Sequence, residues 1–303
     1  MTDTPAAIET IRQLLQTTSA EVDAALPGFL PAASPHAGAL GPALAHSLAG
    51  GKRMRPLVVR EAAATYGLAP EAVMATACAF ELLHTATLIH DDLPAIDNAD
   101  LRRGQAASHV AWGEASALLA GDALIIAAFA ALARQGEHPE TPAERVVRVV
   151  GEFAAATGAP GVIGGEAADI AGEKLPPDAD LLAYIHRHKT AVLFYAAARA
   201  GAILAGAPEA QVELIGRYAD KLGLLFQATD DLLDATGEAA TLGKPAGLDA
   251  AAGKQTYPAL LGMAAAEAHT AALAEEALAL AEQLPARQEV WTGLVYLVRD
   301  RKA

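Results

Sequence analysis

The chain has 303 residues, of which 53% are hydrophobic and 19% charged, enough apolar material for a large buried core. A formal net charge of −14 argues against a nucleic-acid binder, which would carry a basic face. Alanine and leucine dominate while aromatic residues supply only 5%, a composition that leans towards helix.

Met1-Thr2-Asp3-Thr4-Pro5 has no basic segment and no long apolar run behind it, so no secretory leader is expected. Pro70-Glu71 opens a predicted helix that carries Cys78, Phe80 and Leu88 and ends near Asp92, because Pro94 forces the preceding residue out of the helical region. Cys78 is the single cysteine; it can form no internal disulfide and is read as a buried structural thiol. The polar stretch 97–108 contains Gly104 and is predicted to be a loop, followed by a helix over 109–133. The most apolar segment, 115–133, contains Asp122, and a membrane span needs about 20 apolar residues with few charges. A buried helix is expected there, in a soluble, cytoplasmic protein.

Beyond the break at Gln135-Gly136-Glu137-His138-Pro139, Thr141-Pro142-Ala143-Glu144 reads as an N-cap with proline at the first helical position and a capping-box glutamate. Helices are predicted over 178–205 and 208–235. The span 236–253 is the longest loop, and a final helical pair covers 255–301. There is no convincing strand pattern and no linker rich in Pro, Gly or Ser. The segment 191–205 is apolar nearly all round, which requires burial on several sides. These features predict one all-α domain over 1–303, a large helical bundle whose innermost helices are surrounded.

Two segments echo each other. LLHTATLIHDDLPAID, from Leu82, and LLFQATDDLLD, from Leu224, each follow an apolar helix with clustered aspartates: Asp91, Asp92 and Asp97 in the first, Asp230, Asp231 and Asp234 in the second. Asp230 and Asp234 lie four apart and share a helical face. Carboxylates packed this closely repel, and apolar flanks raise the cost, so a cation is expected between them. Hard oxygen donors suit Mg²⁺, which prefers one or two carboxylates with water and substrate phosphates over an all-protein cage.

Basic groups gather around these acids although the chain has only 22 Lys and Arg. Gly50-Gly51-Lys52-Arg53-Met54-Arg55-Pro56 puts Lys52 and Arg55 behind paired glycines, and Arg102-Arg103-Gly104 follows the first aspartate cluster. Lys189-Thr190 sits beside His186 and His188, and Lys244 and Lys254 follow the second cluster. Phosphate accounts for such gatherings, since arginine grips it bidentately and lysine supplies point charge. His84 precedes Asp91 by two helical turns, either as a core histidine or as a donor to phosphate. Phe226 and Gln227 precede the second cluster, where a ring face and an amide would meet a cation. No G-x-S-x-G, P-loop or dinucleotide fingerprint is present. Metal ligands, phosphate grips and apolar helices suit a reaction in which diphosphate leaves and water is kept out.

These motifs, GGKRMRP, HDDLPAIDNADLRRG, HKT, FQATDDLLD, and GK followed by GKQTYP, resemble the trans-prenyl diphosphate synthases, and the resemblance runs from Gly50 to Arg301-Lys302. It implies an all-helical isoprenoid synthase fold around a central cavity, usually homodimeric. It implies Mg²⁺ at Asp91, Asp97 and Asp230, with Asp92, Asp231 and Asp234 supporting. It implies that an allylic diphosphate (dimethylallyl, geranyl or farnesyl) is also held by Arg102, Lys189, Lys244 and Lys254. Isopentenyl diphosphate would be held by Gly51, Lys52, Arg55, His84 and Arg103, while Thr190, Phe226 and Gln227 would line the surroundings of the carbocation.

One departure from the pattern is Glu166, in Gly164-Gly165-Glu166, where the family commonly has glutamine. Two extra residues between Asp92 and Asp97 resemble the short-chain enzymes. Ala86, between Thr85 and Thr87, stands where farnesyl-stopping members commonly carry an aromatic ring. A methyl there leaves volume open, so a geranylgeranyl product is favoured over farnesyl, with Phe80 deeper in the helix as a possible floor. Rival readings are a non-catalytic partner subunit, a terpene cyclase and a helical scaffold with incidental acids. The presence of both aspartate clusters and the GGKRMRP segment counts against them.

Overall fold

The computed structural model describes residues 4–30, 32–236 and 254–301. It is built almost wholly of helices: α1 (Thr4–Ala25), α2 (Leu40–Leu48), α3 (Met54–Thr65), α4 (Met74–Asp91), α5 (Ser108–Trp112), α6 (Glu114–Gln135), α7 (Ala143–Thr157), α8 (Val162–Gly172), α9 (Ala179–Ile185), α10 (Val192–Ala205), α11 (Glu209–Thr236), α12 (Tyr257–Leu261), α13 (Met263–Ala281) and α14 (Gln288–Arg299). The all-α class expected from composition holds.

The apolar-all-round segment becomes α10, whose residues from Ala196 to Leu204 are all buried. It packs against α3 on one side and α11 on another, with α7 on a third. Its burial is what its sequence requires, since a helix without a polar face has nothing to offer water. α4 lies along α6 and also packs on α3, and α11 packs on α13. The two aspartate-bearing helices, α4 and α11, are thereby fixed around the same interior.

Several boundaries differ from expectation, each for a local reason. A two-residue hairpin, β1 (Leu101–Arg102) with β2 (Gln105–Ala106), closes the 97–108 loop, pairing Leu101 with Ala106 and Arg102 with Gln105. Gly113, at φ +83°, divides the helix expected over 109–133 into α5 and α6. Thr141 does not cap α7: its hydroxyl donates instead to the Gln135 and His138 carbonyls, and the cap position falls to Pro142. The 178–205 segment begins at an Asp178 side-chain cap and then widens into a π-helical turn, His186–Ala191, before α10. The final pair over 255–301 is three helices, because Gly262 separates the short α12 from α13.

Cys78 is fully buried, and burial pushes its thiol up to about 12. Three stretches, Pro70–Asp91, Glu114–Gln135 and Ala143–Gly172, are long and apolar enough to cross a membrane by length and composition. This corrects the expectation that Asp122 disqualifies the 115–133 region. Buried residues make up 72% of the first window and 44% of the second.

Candidate active site

The C-terminal end of α4 folds back on itself. The Asp97 amide donates to the Asp91 carbonyl at 2.8 Å and the Ala99 amide to the Asp92 carbonyl at 3.2 Å, with Asn98 in the left-handed region at φ +49°. This returns Asp97 to the helix end. Across from it, α11 presents Asp230, Asp231 and Asp234, and the two helices enclose a cavity of about 260 Å³ lined by six aspartates, the sixth being Asp169 of α8, with Arg102, Lys189 and Lys254. Asp91 and Asp97 of the first cluster thus face the second cluster across one cavity.

The π-helical turn positions Lys189 and Thr190. Gly165 of α8 lies so close to this turn that a Cβ there would stand 2.3 Å from the Lys189 amide nitrogen, so only glycine permits the approach. The Lys189 ammonium is consequently held between Asp169 at 2.6 Å and Glu166 at 2.8 Å. Burial works against its charge, but Asp169, Glu166 and Asp91 more than offset this and raise its pKa. Lys254 reaches Asp97 at 3.0 Å. Even so, acid outweighs base: Asp91 is pushed up to about 7, first by burial and then by the charge of Glu166, with Asp97 adding to it. A site that raises its own carboxylate in this way attracts further positive charge.

Not every aspartate faces the cavity alike. Asp92 is buried, turned towards a separate crevice, and paired with the Arg102 guanidinium, whose Nε donates at 3.0 Å. Asp231 lines the cavity but accepts from Gln227 Nε2 at 3.0 Å and from the Tyr257 amide at 3.0 Å, with His186 Nε2 at 3.4 Å. Gln227 in turn accepts from the Thr190 hydroxyl at 2.8 Å. Thr190, Gln227 and Asp231 thus form a chain of hydrogen bonds joining the π-turn to α11.

A second cavity of about 730 Å³ adjoins the first; Leu88 and Arg102 line both. Five cations line it, Lys52, Arg53, Arg55, Arg102 and Arg103, against one carboxylate among the described residues, Glu81. Phe194 and Phe226 form an apolar wall, their centroids 5.6 Å apart, and Arg55 stacks over Phe194 at 4.7 Å. Burial lowers Arg55 to about 10 and keeps its charge at neutral pH. Burial and the surrounding arginines push His84 well below the usual histidine range, so it faces this cavity as neutral imidazole.

The sequence-predicted residues therefore divide between two joined chambers. Gly51, Lys52, Arg55, His84, Arg103 and Phe226 line the cationic one, and the two lysines, Thr190, Gln227 and the aspartates other than Asp92 line the acidic one. Lys244 lies outside the described residues. Ala86 and Phe80 are fully buried, and Phe80 packs edge-on against Phe153 of α7 at 5.0 Å, which in turn meets Phe129 of α6 edge-on at 5.3 Å. Sequence reasoning missed Asp169, Glu81 and Arg301. Asp169 could have been found from its spacing, since Glu166-x-x-Asp169 puts two carboxylates on one helical face.

Among the described residues, no three His, Cys, Asp or Glu side chains converge closely enough to hold an ion by themselves. The all-oxygen donor set and the surplus of carboxylates nonetheless suit magnesium, which takes part of its coordination from water and substrate phosphate.

A family model described as polyprenyl synthetase matches residues 39–290. Geranylgeranyl pyrophosphate synthase 9, chloroplastic, from Arabidopsis thaliana is 47% identical over 219 residues, covering 71% of this chain and 61% of that protein. The farnesyl diphosphate synthase of Escherichia coli K12 is 42% identical over 255 residues, 84% of this chain and 85% of that one. A solved structure, a geranyltransferase from Helicobacter pylori complexed with magnesium and isoprenyl diphosphate, superposes with a TM-score of 0.82 at 27% identity over 95% of this chain and 96% of that one. The chain belongs to the polyprenyl synthetase family.

Proposed function

We propose that this protein is a magnesium-dependent short-chain prenyl diphosphate synthase that condenses isopentenyl diphosphate with an allylic diphosphate. The observation that carries the reading is the pair of joined chambers, one rich in carboxylate and one in guanidinium, with Leu88 and Arg102 common to both. Two diphosphates need two grips, and the chemistry needs their carbon chains to meet between them.

In this reading Asp91, Asp97 and Asp230 would hold magnesium at the allylic diphosphate, while Lys189, Lys254 and Arg102 would add direct cationic contacts. Magnesium, when bound, neutralises the charge that builds on the leaving diphosphate. Asp92 fixes Arg102, and Asp231 is oriented by Gln227 and the Tyr257 amide. Lys52, Arg55, Arg103 and neutral His84 hold isopentenyl diphosphate beside Gly51. The allylic C–O bond breaks with both electrons leaving on the diphosphate. The alkene of isopentenyl diphosphate attacks the allylic carbon, the new C–C bond forms, and the departing diphosphate takes the proton that is lost. Thr190, Gln227 and the Phe226 ring wall this space, offering π density and dipoles to a cation while excluding water. The magnesium and isoprenyl diphosphate held by the Helicobacter pylori relative support the assignment.

The favoured product is geranylgeranyl diphosphate, because Ala86 offers only a methyl and the first bulky ring behind it on α4 is Phe80. The Arabidopsis relative's name supports this product, and that of the Escherichia coli relative supports the farnesyl alternative. A homodimer is part of the reading, supported by exposed Leu118, Leu119 and Ile126 on α6. So is a soluble, cytoplasmic setting, although the name of the Arabidopsis relative places that protein in the chloroplast.

The reading is tested by measuring diphosphate release with Asp91→Asn and Asp230→Asn. Each substitution is expected to lower turnover about 100-fold or more while the helical circular dichroism persists. Asp91→Asn replaces a carboxylate that the site already resists charging, so it should not destabilise the metal-free fold. Near-normal turnover in either variant would refute the metal assignment.

A further inference from the structure

The single carboxylate of the cationic chamber invites a question that simple charge counting answers wrongly. An acid beside a site for polyanions should weaken binding. Glu81 is nonetheless buried in α4, one turn before His84, and two arginines from two separate motifs converge on it. Arg53 Nη1 donates to Glu81 Oε1 at 2.5 Å, and Arg103 Nη2 approaches the same oxygen at 3.5 Å.

Both arginines sit in strained backbone. Arg53 has φ +49° and Arg103 φ +53°, values uncommon for any residue with a side chain. Such conformations persist only where the surroundings over-determine them. For Arg53 the surroundings are complete: besides Glu81, Nε donates to Asp23 at 2.8 Å and Nη2 to the Leu48 carbonyl at 2.6 Å. Its guanidinium is fully engaged, which leaves Lys52 and Arg55, on either side of it, for a ligand. Arg103, arriving from the hairpin, is held against the same loop, where Nη1 donates to the Gly50 carbonyl at 2.8 Å. Its guanidinium covers Gly51 so closely that a Cβ there would stand 2.8 Å from Cζ.

We propose that Glu81 is a positioning residue for the second diphosphate: its carboxylate ties the Gly50–Arg55 loop to the Arg103 hairpin, so that Lys52, Arg55 and Arg103 converge on one anion. The inference rests on the functional reading above. Glu81 touches no substrate; it acts through Arg53 and Arg103. Without it, Arg53 keeps Asp23 and Arg102 keeps Asp92, but Arg103 loses its carboxylate partner and the two arginines lose the one side chain they share. The gain in preorganisation exceeds the repulsion of one negative charge, because the order of the whole cradle depends on that charge.

The test is the affinity of isopentenyl diphosphate, measured by calorimetry without magnesium or allylic substrate, for the wild-type protein, Glu81→Gln and Glu81→Asp. Glu81→Gln is expected to bind about tenfold or more weakly, with KM for isopentenyl diphosphate raised to match and kcat at saturation kept. Glu81→Asp keeps the charge but is too short to reach both arginines, and it is expected to weaken binding to an intermediate degree. In an Arg103→Gln background, Glu81→Gln should cost less than it does alone, because part of its effect passes through Arg103. Equal or tighter binding by Glu81→Gln, the result that charge alone dictates, overturns the proposal and leaves the synthase reading intact. If Glu81→Gln does not fold, wild-type affinity in Glu81→Asp overturns it equally. Failure of the wild-type protein to bind isopentenyl diphosphate would overturn the functional reading itself.

Discussion

Arg301 donates from Nη2 to Asp230 Oδ1 at 2.6 Å, so a guanidinium already compensates one of the carboxylates assigned to magnesium. The same nitrogen donates to the Phe226 carbonyl at 2.7 Å, and the guanidinium carbon lies 4.0 Å above the Phe226 ring. The segment after α14 is thereby tied to the floor of both chambers.

Arg301→Gln removes a cation that competes for Asp230. An exposed or partly exposed pair of this kind is worth up to about 1 kcal/mol, or about fivefold. The magnesium concentration giving half-maximal rate should fall by a factor of that order. An unchanged or higher requirement would mean that Arg301 does not oppose the metal.

His84 links pH to stability. Burial, with Arg55, Arg103, Arg102 and Arg53 around it, keeps its folded-state pKa well below the ordinary 6.5. Because the unfolded chain then binds the proton more readily, the stability contributed is full above about pH 6.5 and is lost as pH falls through the depressed folded value. The fall in unfolding free energy between pH 7.5 and 5.5, from urea titrations, should be about 1 kcal/mol smaller in His84→Asn than in the wild-type protein. An equal pH dependence in the variant would assign the effect to other groups.

Ala86→Phe should shorten the product by at least one five-carbon unit, since a ring would enter the space that the methyl leaves. Phe153→Ala, on the other side of the Phe80 contact, should instead permit longer chains, at a stability cost of about 3–5 kcal/mol. An unchanged product distribution in Ala86→Phe would show that the position does not meet the growing tail.

How much of this was legible in the sequence depended on whether a feature is periodic or relational. The apolar runs ending at Asp91 and Asp230 announced themselves, because burial and a helix end both leave patterns along the chain. So did α10, whose lack of a polar face required surroundings on all sides. The π-turn at His186–Ala191 left no such mark, because a single wide turn shifts the side-chain phase only once, within a stretch too short for a period to show it. The hairpin at Leu101–Arg102 is too short to show a period of two. Glu81 reads as an ordinary polar residue in an apolar helix, and its importance arises only when Arg53 and Arg103 arrive from other parts of the chain. Thr141 misled for a related reason, since the buried Gln135 amide beside it claims the hydroxyl that local spacing had assigned to a cap.

The most direct test of the central claim is product analysis with purified protein, isopentenyl diphosphate and each allylic primer from five to fifteen carbons, with magnesium and with chelator. The account predicts condensation that requires magnesium and accumulates the twenty-carbon diphosphate. Accumulation of the fifteen-carbon diphosphate would keep the chemistry and move the blocking residue elsewhere, whereas no condensation with any primer, or full activity in chelator, would contradict the account.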